Sequence, residues 1–181
     1  MIYMFLAEGF EEIEAITPLD ILRRAGADVK TVSIGNTLDV VGAHGITVRA
    51  DIMLSSVSDE DSPMLILPGG SLGTENLAAC EELVNMLVRA NEKGAYIAAI
   101  CAAPTILARL GLLKGRRATC YPSLASVLLE NKVKYKNDKV VLDSNFITSE
   151  GAGTAADFGF ALAEKFFSRG DVDRLRLSMV Y

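Results

Sequence analysis

The stretch that most constrains how this chain can fold is AYIAAICAAPTIL, residues 95–107. An apolar run leads into Cys101, small residues follow, and Pro104 opens a helix, a place where proline gives up only an N–H that has no helical partner. A cysteine at such a sharp strand-to-helix turn stands at the carboxyl edge of a sheet. This is the arrangement of a nucleophile elbow, whose tight geometry demands small neighbours; here they are Ala98, Ala99, Ala102 and Ala103. Backbone N–H groups and the positive end of the next helix favour a thiolate over a thiol. The same residue also fits the role of a small buried hydrophobe, as most free cysteines do.

The rest of the chain alternates strands and helices. Residues 2–6 and 64–67 are continuous apolar runs, the pattern of strands buried on both faces. Residues 29–34 form another strand, and the alternation over 46–50 predicts a half-exposed hairpin arm. A helix is expected over 11–25. Pro18 leaves two starts open: a regular helix beginning at Pro18, or an earlier start with a kink at Pro18. One long amphipathic helix is predicted over 74–91, with Leu77, Val84, Leu87 and Val88 on its apolar face. Short strands over 116–121, 133–135, 139–143 and 145–149 surround a helix over 123–130, and a final helix runs from 155 to about 169. This alternation predicts an α/β doubly wound, mostly parallel sheet sandwiched by helices, as one domain over residues 1–181. Such folds bind at the carboxyl ends of strands, so the loops 8–14, 68–73 and 101–103 should converge.

Composition narrows the function classes. The net charge of −5 provides no basic footprint for nucleic acid. Three cysteines without a CxxC pair, beside a single histidine, argue against a structural metal site. Unpaired cysteines fit a reducing compartment, and the chain reads as cytoplasmic. The first residues, MIYMFLAEGFEEIEA, lack a basic region and meet acids early, so they read as a first strand and not as a signal peptide or membrane span.

Several residues near those loops could carry chemistry. Gly69-Gly70 could present N–H groups as an oxyanion hole beside a thiolate, or simply form a tight turn. Glu11, Glu12 and Glu14 fit a solvated helix start. Alternatively, one glutamate turned inward could have a raised pKa and move protons. His44, in the glycine-flanked GAHGI, could serve Cys–His catalysis only if it lay beside Cys101. Cys80 reads as packing, and Cys120 as a candidate resolving thiol.

Taken together, EGFEEIEAITPLDILRRAG, LILPGGSLGTENL, AAICAAPTIL, ATCYPSL and ITSEGAGTAADFGFALAE resemble the DJ-1/ThiJ/PfpI superfamily, closest to the branch of the Parkinson-disease protein and its bacterial relatives. The resemblance implies a flavodoxin-like sandwich, usually a homodimer, without metal or organic cofactor. It implies that Cys101 is the reactive cysteine and Glu14 the acid bonded to it, with Gly70 and Ala102 as backbone donors around the sulfur. It also implies glyoxalase- or deglycase-like action on small reactive aldehydes or glycated adducts, or redox sensing and chaperone control through a Cys101 sulfinate. A cysteine hydrolase is disfavoured, because the histidine that follows the cysteine in the protease-like branch is Ala102 here. Tyr121 stands where relatives often have histidine, and Glu150 and His44 stand where they have arginine. All three are candidate pocket residues.

Overall fold

The first strand, β1 (Ile2–Leu6), is buried along its whole length. Ile2, Met4 and Leu6 enter one apolar cluster, while Tyr3 and Phe5 enter another. A strand that feeds cores on both faces must lie inside a sheet covered on both sides. In the computed structural model, which describes residues 1–58 and 62–181, this is where it lies.

The elements follow as α1 (Glu12–Arg24), β2 (Val29–Ser33), the pair β3 (Asp39–Val41) and β4 (Thr47–Arg49), β5 (Ile52–Met53), β6 (Met64–Leu67), α2 (Ser71–Ala79) and α3 (Glu81–Glu92). Then come β7 (Tyr96–Ile100), α4 (Pro104–Arg109), β8 (Arg117–Ala118), α5 (Ala125–Glu130) and β9 (Lys134–Tyr135). The chain ends with β10 (Val140–Asp143), β11 (Phe146–Ser149), α6 (Ala155–Ala163) and α7 (Arg169–Ser178). The main sheet has the order β10-β11-β7-β6-β1-β2-β5, parallel except for the antiparallel edge strand β10. The predicted hairpin arm is β4, antiparallel to β3.

Strand order reverses between β1 and β6, and the carboxyl ends of β1, β6 and β7 lie side by side. Backbone bonds tie the following loops together: Glu11 N–H donates to Gly69 O at 3.1 Å, and Gly73 N–H to Gly9 O at 3.1 Å. The end of β11 joins them, since Cys101 N–H donates to Ser149 O at 2.9 Å.

One open choice about helices is decided and two expectations need correction. First, of the two starts left open for α1 the earlier one holds, and the helix runs through Pro18. An interior proline costs about 3 kcal/mol, but burying Leu19, Ile21 and Leu22 returns about 1.5–3 kcal/mol each. Helix α6 packs closely on this segment at Gly159, where a β-carbon would lie 2.8 Å from Ile21 Cδ1 and 2.9 Å from Pro18 Cα. Second, the long helix over 74–91 is two helices, parted at Cys80, whose ψ of 95° is extended. The inward face of α3 is Leu83, Met86, Leu87 and Ala90, a face that the spacing from Leu77 to Val84 conceals. Third, the last predicted helix stops at Ala163, and α7 begins after the cap Ser168, whose Oγ accepts from Asp171 N–H at 3.2 Å. Helix α7 fully buries only Val172, with Leu175 partly buried against the same cluster, so its apolar stripe is short. Among the described residues no helix is long and apolar enough to cross a membrane.

Candidate active site

Cys101 leaves β7 with φ of 64°, a left-handed conformation that costs a side-chain-bearing residue about 1–3 kcal/mol. The surroundings hold it there. Its N–H is bonded to Ser149, and its carbonyl accepts Tyr121 N–H at 2.7 Å. In this turn the thiol receives the N–H groups of Gly70 and Ala102. Gly70 has φ of 89°, and a β-carbon there would meet Gly9 O at 2.4 Å, so only glycine lets the loop after β6 come this close.

Glu14, on the first turn of α1, is only 1% exposed. Its Oε2 accepts Gly69 N–H at 3.0 Å, and its carboxyl also receives Ala152 N–H and interacts with the Cys101 thiol. Burial pushes this carboxyl up to about 7; the negative charge of Glu11 adds to the rise, and the hydrogen bonds oppose it. Gly69 was expected to donate toward the sulfur. Instead its N–H is spent on Glu14.

Burial also pushes the Cys101 thiol up to about 12, with the charge of Glu14 acting in the same direction and the two N–H groups against it. This reverses the thiolate expected from the following helix. Helix α4 has only six residues and starts at Pro104, whereas the Glu14 carboxylate is adjacent. Cys101 and Glu14 therefore titrate as a pair.

A second carboxylate has a different task. Glu12 is 6% exposed, and its Oε1 accepts His44 N–H at 2.8 Å while Oε2 lies 2.8 Å from His44 Nδ1. Burial opposes ionisation, yet the bonds from His44, the backbone and Ile46 together hold Glu12 down at about 2. His44 is raised in turn, first by its bond to Glu12 and then by Glu11 and Glu12 charge. The ring thus serves Glu12 and not Cys101. Glu11, Glu12 and His44 bring possible ligand atoms within 4.8 Å of one another, but both Glu12 oxygens are already engaged internally.

A cavity of about 510 Å³ lies over the sulfur, lined by Glu11, Glu14, His44, Cys101, Ala102, Tyr121 and Ala152 among others. Tyr121 is 50% exposed. Glu150 is not among the lining residues; its charge acts on Cys120 and Tyr135. Cys120 is fully buried in the cluster that takes Tyr3 and Phe5, whereas Cys101 packs against the other cluster. Cys80 is half-buried at the α2–α3 break. Sequence reading missed Gly151 and Ala152, which adjoin Glu14. The SEGAG segment carries that signal in the two glycines that follow Glu150.

The sequence pattern of the DJ-1/PfpI family matches residues 1–165. This chain belongs to that family. It is 39% identical over 165 residues to protein DJ-1 homolog B of Arabidopsis thaliana and 41% identical over 165 residues to homolog A, each match covering 91% of this chain. The chain spans 37% and 42% of the length of those two relatives. A Caenorhabditis elegans protein named glutathione-independent glyoxalase DJR-1.2 is 35% identical over 157 residues, 87% of this chain and 83% of its own. A Pyrococcus abyssi protein named a deglycase is 32% identical over 147 residues, 81% of this chain and 87% of its own. Among solved structures, oxidized Toxoplasma gondii DJ-1 superposes with a TM-score of 0.94 at 31% identity, covering 99% of this chain and 97% of the other. The DJ-1/PfpI fold and the doubly wound sheet agree.

Proposed function

We propose that this DJ-1/PfpI protein converts small 2-oxoaldehydes such as methylglyoxal into 2-hydroxy acids, or removes the same carbonyls from their adducts. The observation that carries this reading is the Glu14–Cys101 pair in the cavity, with a carboxyl pushed up to about 7. A group that titrates near neutrality both takes and returns protons efficiently. The relatives named glyoxalase and deglycase support the same substrate class.

In this mechanism Glu14 takes the thiol proton as Cys101 Sγ adds to the aldehyde carbon, and the N–H groups of Gly70 and Ala102 stabilise the negative charge near the sulfur. Glu14 then protonates the new alkoxide to give a thiohemiacetal. It removes the proton on that carbon and returns one to the neighbouring carbon, while the hydroxyl proton passes to the neighbouring oxygen, leaving a thioester of the hydroxy acid. Water hydrolyses the thioester and restores the thiol. The sum is one aldehyde plus one water giving one hydroxy acid, so the two carbons exchange oxidation level internally and no external oxidant is consumed.

A second reading is redox sensing, in which two equivalents of peroxide oxidise Cys101 through sulfenate to sulfinate. It is favoured by exposure: Cys101 borders the cavity while Cys120 is fully buried. Purified reduced protein, assayed for lactate from methylglyoxal beside Cys101→Ser, separates the two. Lactate from the wild type alone supports the enzyme. No lactate from folded, reduced protein turns the assignment to peroxide sensing. We further propose a homodimer, as the family resemblance implies, acting in the cytoplasm without a metal or organic cofactor.

A further inference from the structure

The cavity over Cys101 is unbalanced in charge. Among the described residues neither lysine nor arginine lines it, and its carboxyl and imidazole groups are those of Glu11, Glu14 and His44. His44 is committed elsewhere: its Nδ1 lies 2.8 Å from Glu12 Oε2, so that carboxylate neutralises a protonated ring. The backbone donors that could hold an anion, the N–H groups of Gly70 and Ala102, are turned to the sulfur. Glu11 is left over. It stands at the N-cap of α1, yet its side chain makes no capping bond. Its side chain is 19% exposed, and Oε1 lies 3.6 Å from His44 Nδ1, beyond hydrogen-bond reach. Among the described residues no other cation comes within 4.0 Å of this carboxylate.

A partly buried carboxylate without a hydrogen-bonded partner is unfavourable, and a guanidinium or ammonium group would complete it with charge-assisted bonds. We propose that Glu11 is the charge-selecting residue of this site. It favours 2-oxoaldehydes and adducts whose substituent carries a guanidinium or ammonium group, and disfavours those that carry a carboxylate or phosphate. This rests on the aldehyde-converting function proposed above. The cavity of about 510 Å³ falls in the range that encloses molecules much larger than methylglyoxal. A charged substituent therefore shares one enclosure with Cys101 and Glu11. The charge of Glu11 already reaches Glu14 and opposes its ionisation. An anionic substituent brought to the same place meets the same repulsion, and a cationic one the opposite.

The test labels Cys101 in the wild type, Glu11→Gln and Glu11→Lys with three thiol reagents that differ in charge. They are methyl methanethiosulfonate and its trimethylammonioethyl and sulfonatoethyl analogues, with the adduct on Cys101 followed by peptide mass. Glu11→Gln is expected to lower the ratio of cationic to anionic labelling rates by about fivefold, the upper end for a partly screened charge pair. Glu11→Lys should lower it further. A change in the reactivity of the thiol itself moves all three rates together, so the ratio isolates the selection. A ratio unchanged within twofold in both variants would overturn the proposal. The second arm compares kcat/KM for 4-(trimethylammonio)phenylglyoxal and 4-carboxyphenylglyoxal. Wild type should prefer the cationic substrate, and Glu11→Gln should erase most of that preference; a preference independent of residue 11 counts against the selection. If the wild type converts neither substrate nor methylglyoxal, the enzymatic reading fails by itself, and the labelling ratios alone decide whether Glu11 selects charge.

Discussion

Glu12 and Glu14 lie two residues apart on one helical turn, both almost wholly shielded from water, yet one is held down at about 2 and the other pushed up to about 7. Burial raises both. The balance with their partners differs. Glu12 meets a histidine ring and two loop N–H groups, all of which favour its charge and together outweigh burial. Glu14 also accepts hydrogen bonds, from the Cys101 thiol and the Gly69 and Ala152 N–H groups, but its burial and the charge of Glu11 nearby outweigh them. One helix start thus supplies a fixed anion that fastens the β3–β4 turn and a neutral-range acid that serves a nucleophile. Adjacent carboxylates acquire distinct roles through what surrounds them.

The largest expected effect falls on the Glu14 side. Glu14→Gln preserves shape but removes proton transfer, so lactate formation should drop by at least about 100-fold, in the range of a lost general acid–base, with the melting transition retained. Wild-type rates in that variant would erase the distinction between the two carboxylates. On the other side, Glu12→Ala should cost about 1–3 kcal/mol in denaturant unfolding, because it strips the acceptor from His44 and Ile46. Faster amide exchange over 42–46 should accompany it. A loss of catalysis as severe as in Glu14→Gln would show that the anchor also belongs to the chemistry.

Acidity offers a finer comparison, because the two groups load stability in opposite directions. Between about pH 4.5 and 7 the unfolded chain has released the Glu14 proton and the native state still holds it. Stability therefore falls as pH rises through that window, by up to about 3 kcal/mol from this group. Glu12 is ionised in the native state down to about 2, so its contribution is present above pH 4.5 and disappears as pH drops toward 2. Unfolding midpoints measured from pH 2 to 9 should show the upper slope flattened in Glu14→Gln and the lower slope flattened in Glu12→Gln. The smallest effect is expected from His44→Ala. It should shift the Glu12 slope to higher pH and change turnover by less than about threefold, since the ring is directed at Glu12.

Much of this architecture is legible in the residues, for a physical reason. The strands β1, β6 and β7 are continuous apolar runs because both of their faces are buried, and the small residues around Cys101 announce a turn that tolerates nothing larger. Glu14, Gly70 and Ala102 come together with Cys101, a grouping that only the family resemblance implied, since the residues alone left the choice among Glu11, Glu12 and Glu14 open. Local pattern could not show the partner of His44, because Glu12 lies 32 positions away in sequence. Nor could it reveal that Gly69 serves Glu14 or that Ala152 completes the cradle, since both depend on loops from separate strands. The break at Cys80 and the course of α1 through Pro18 were decided by packing, which outweighs the helical preferences of single residues.

The contact at Gly159 has a consequence for the carboxyl it never touches. Helix α6 leads directly from the turn whose Ala152 N–H holds Glu14, and at Gly159 it presses against the segment of α1 that carries the same glutamate. Glu14 is therefore gripped twice by one continuous piece of chain, once at its side chain and once through its helix. The run from Ala152 to Gly159 thus ties the position of the carboxyl to the packing of α6 on α1. Retuning this acid would then be possible from a helix–helix seam, without altering a single residue that borders the cavity.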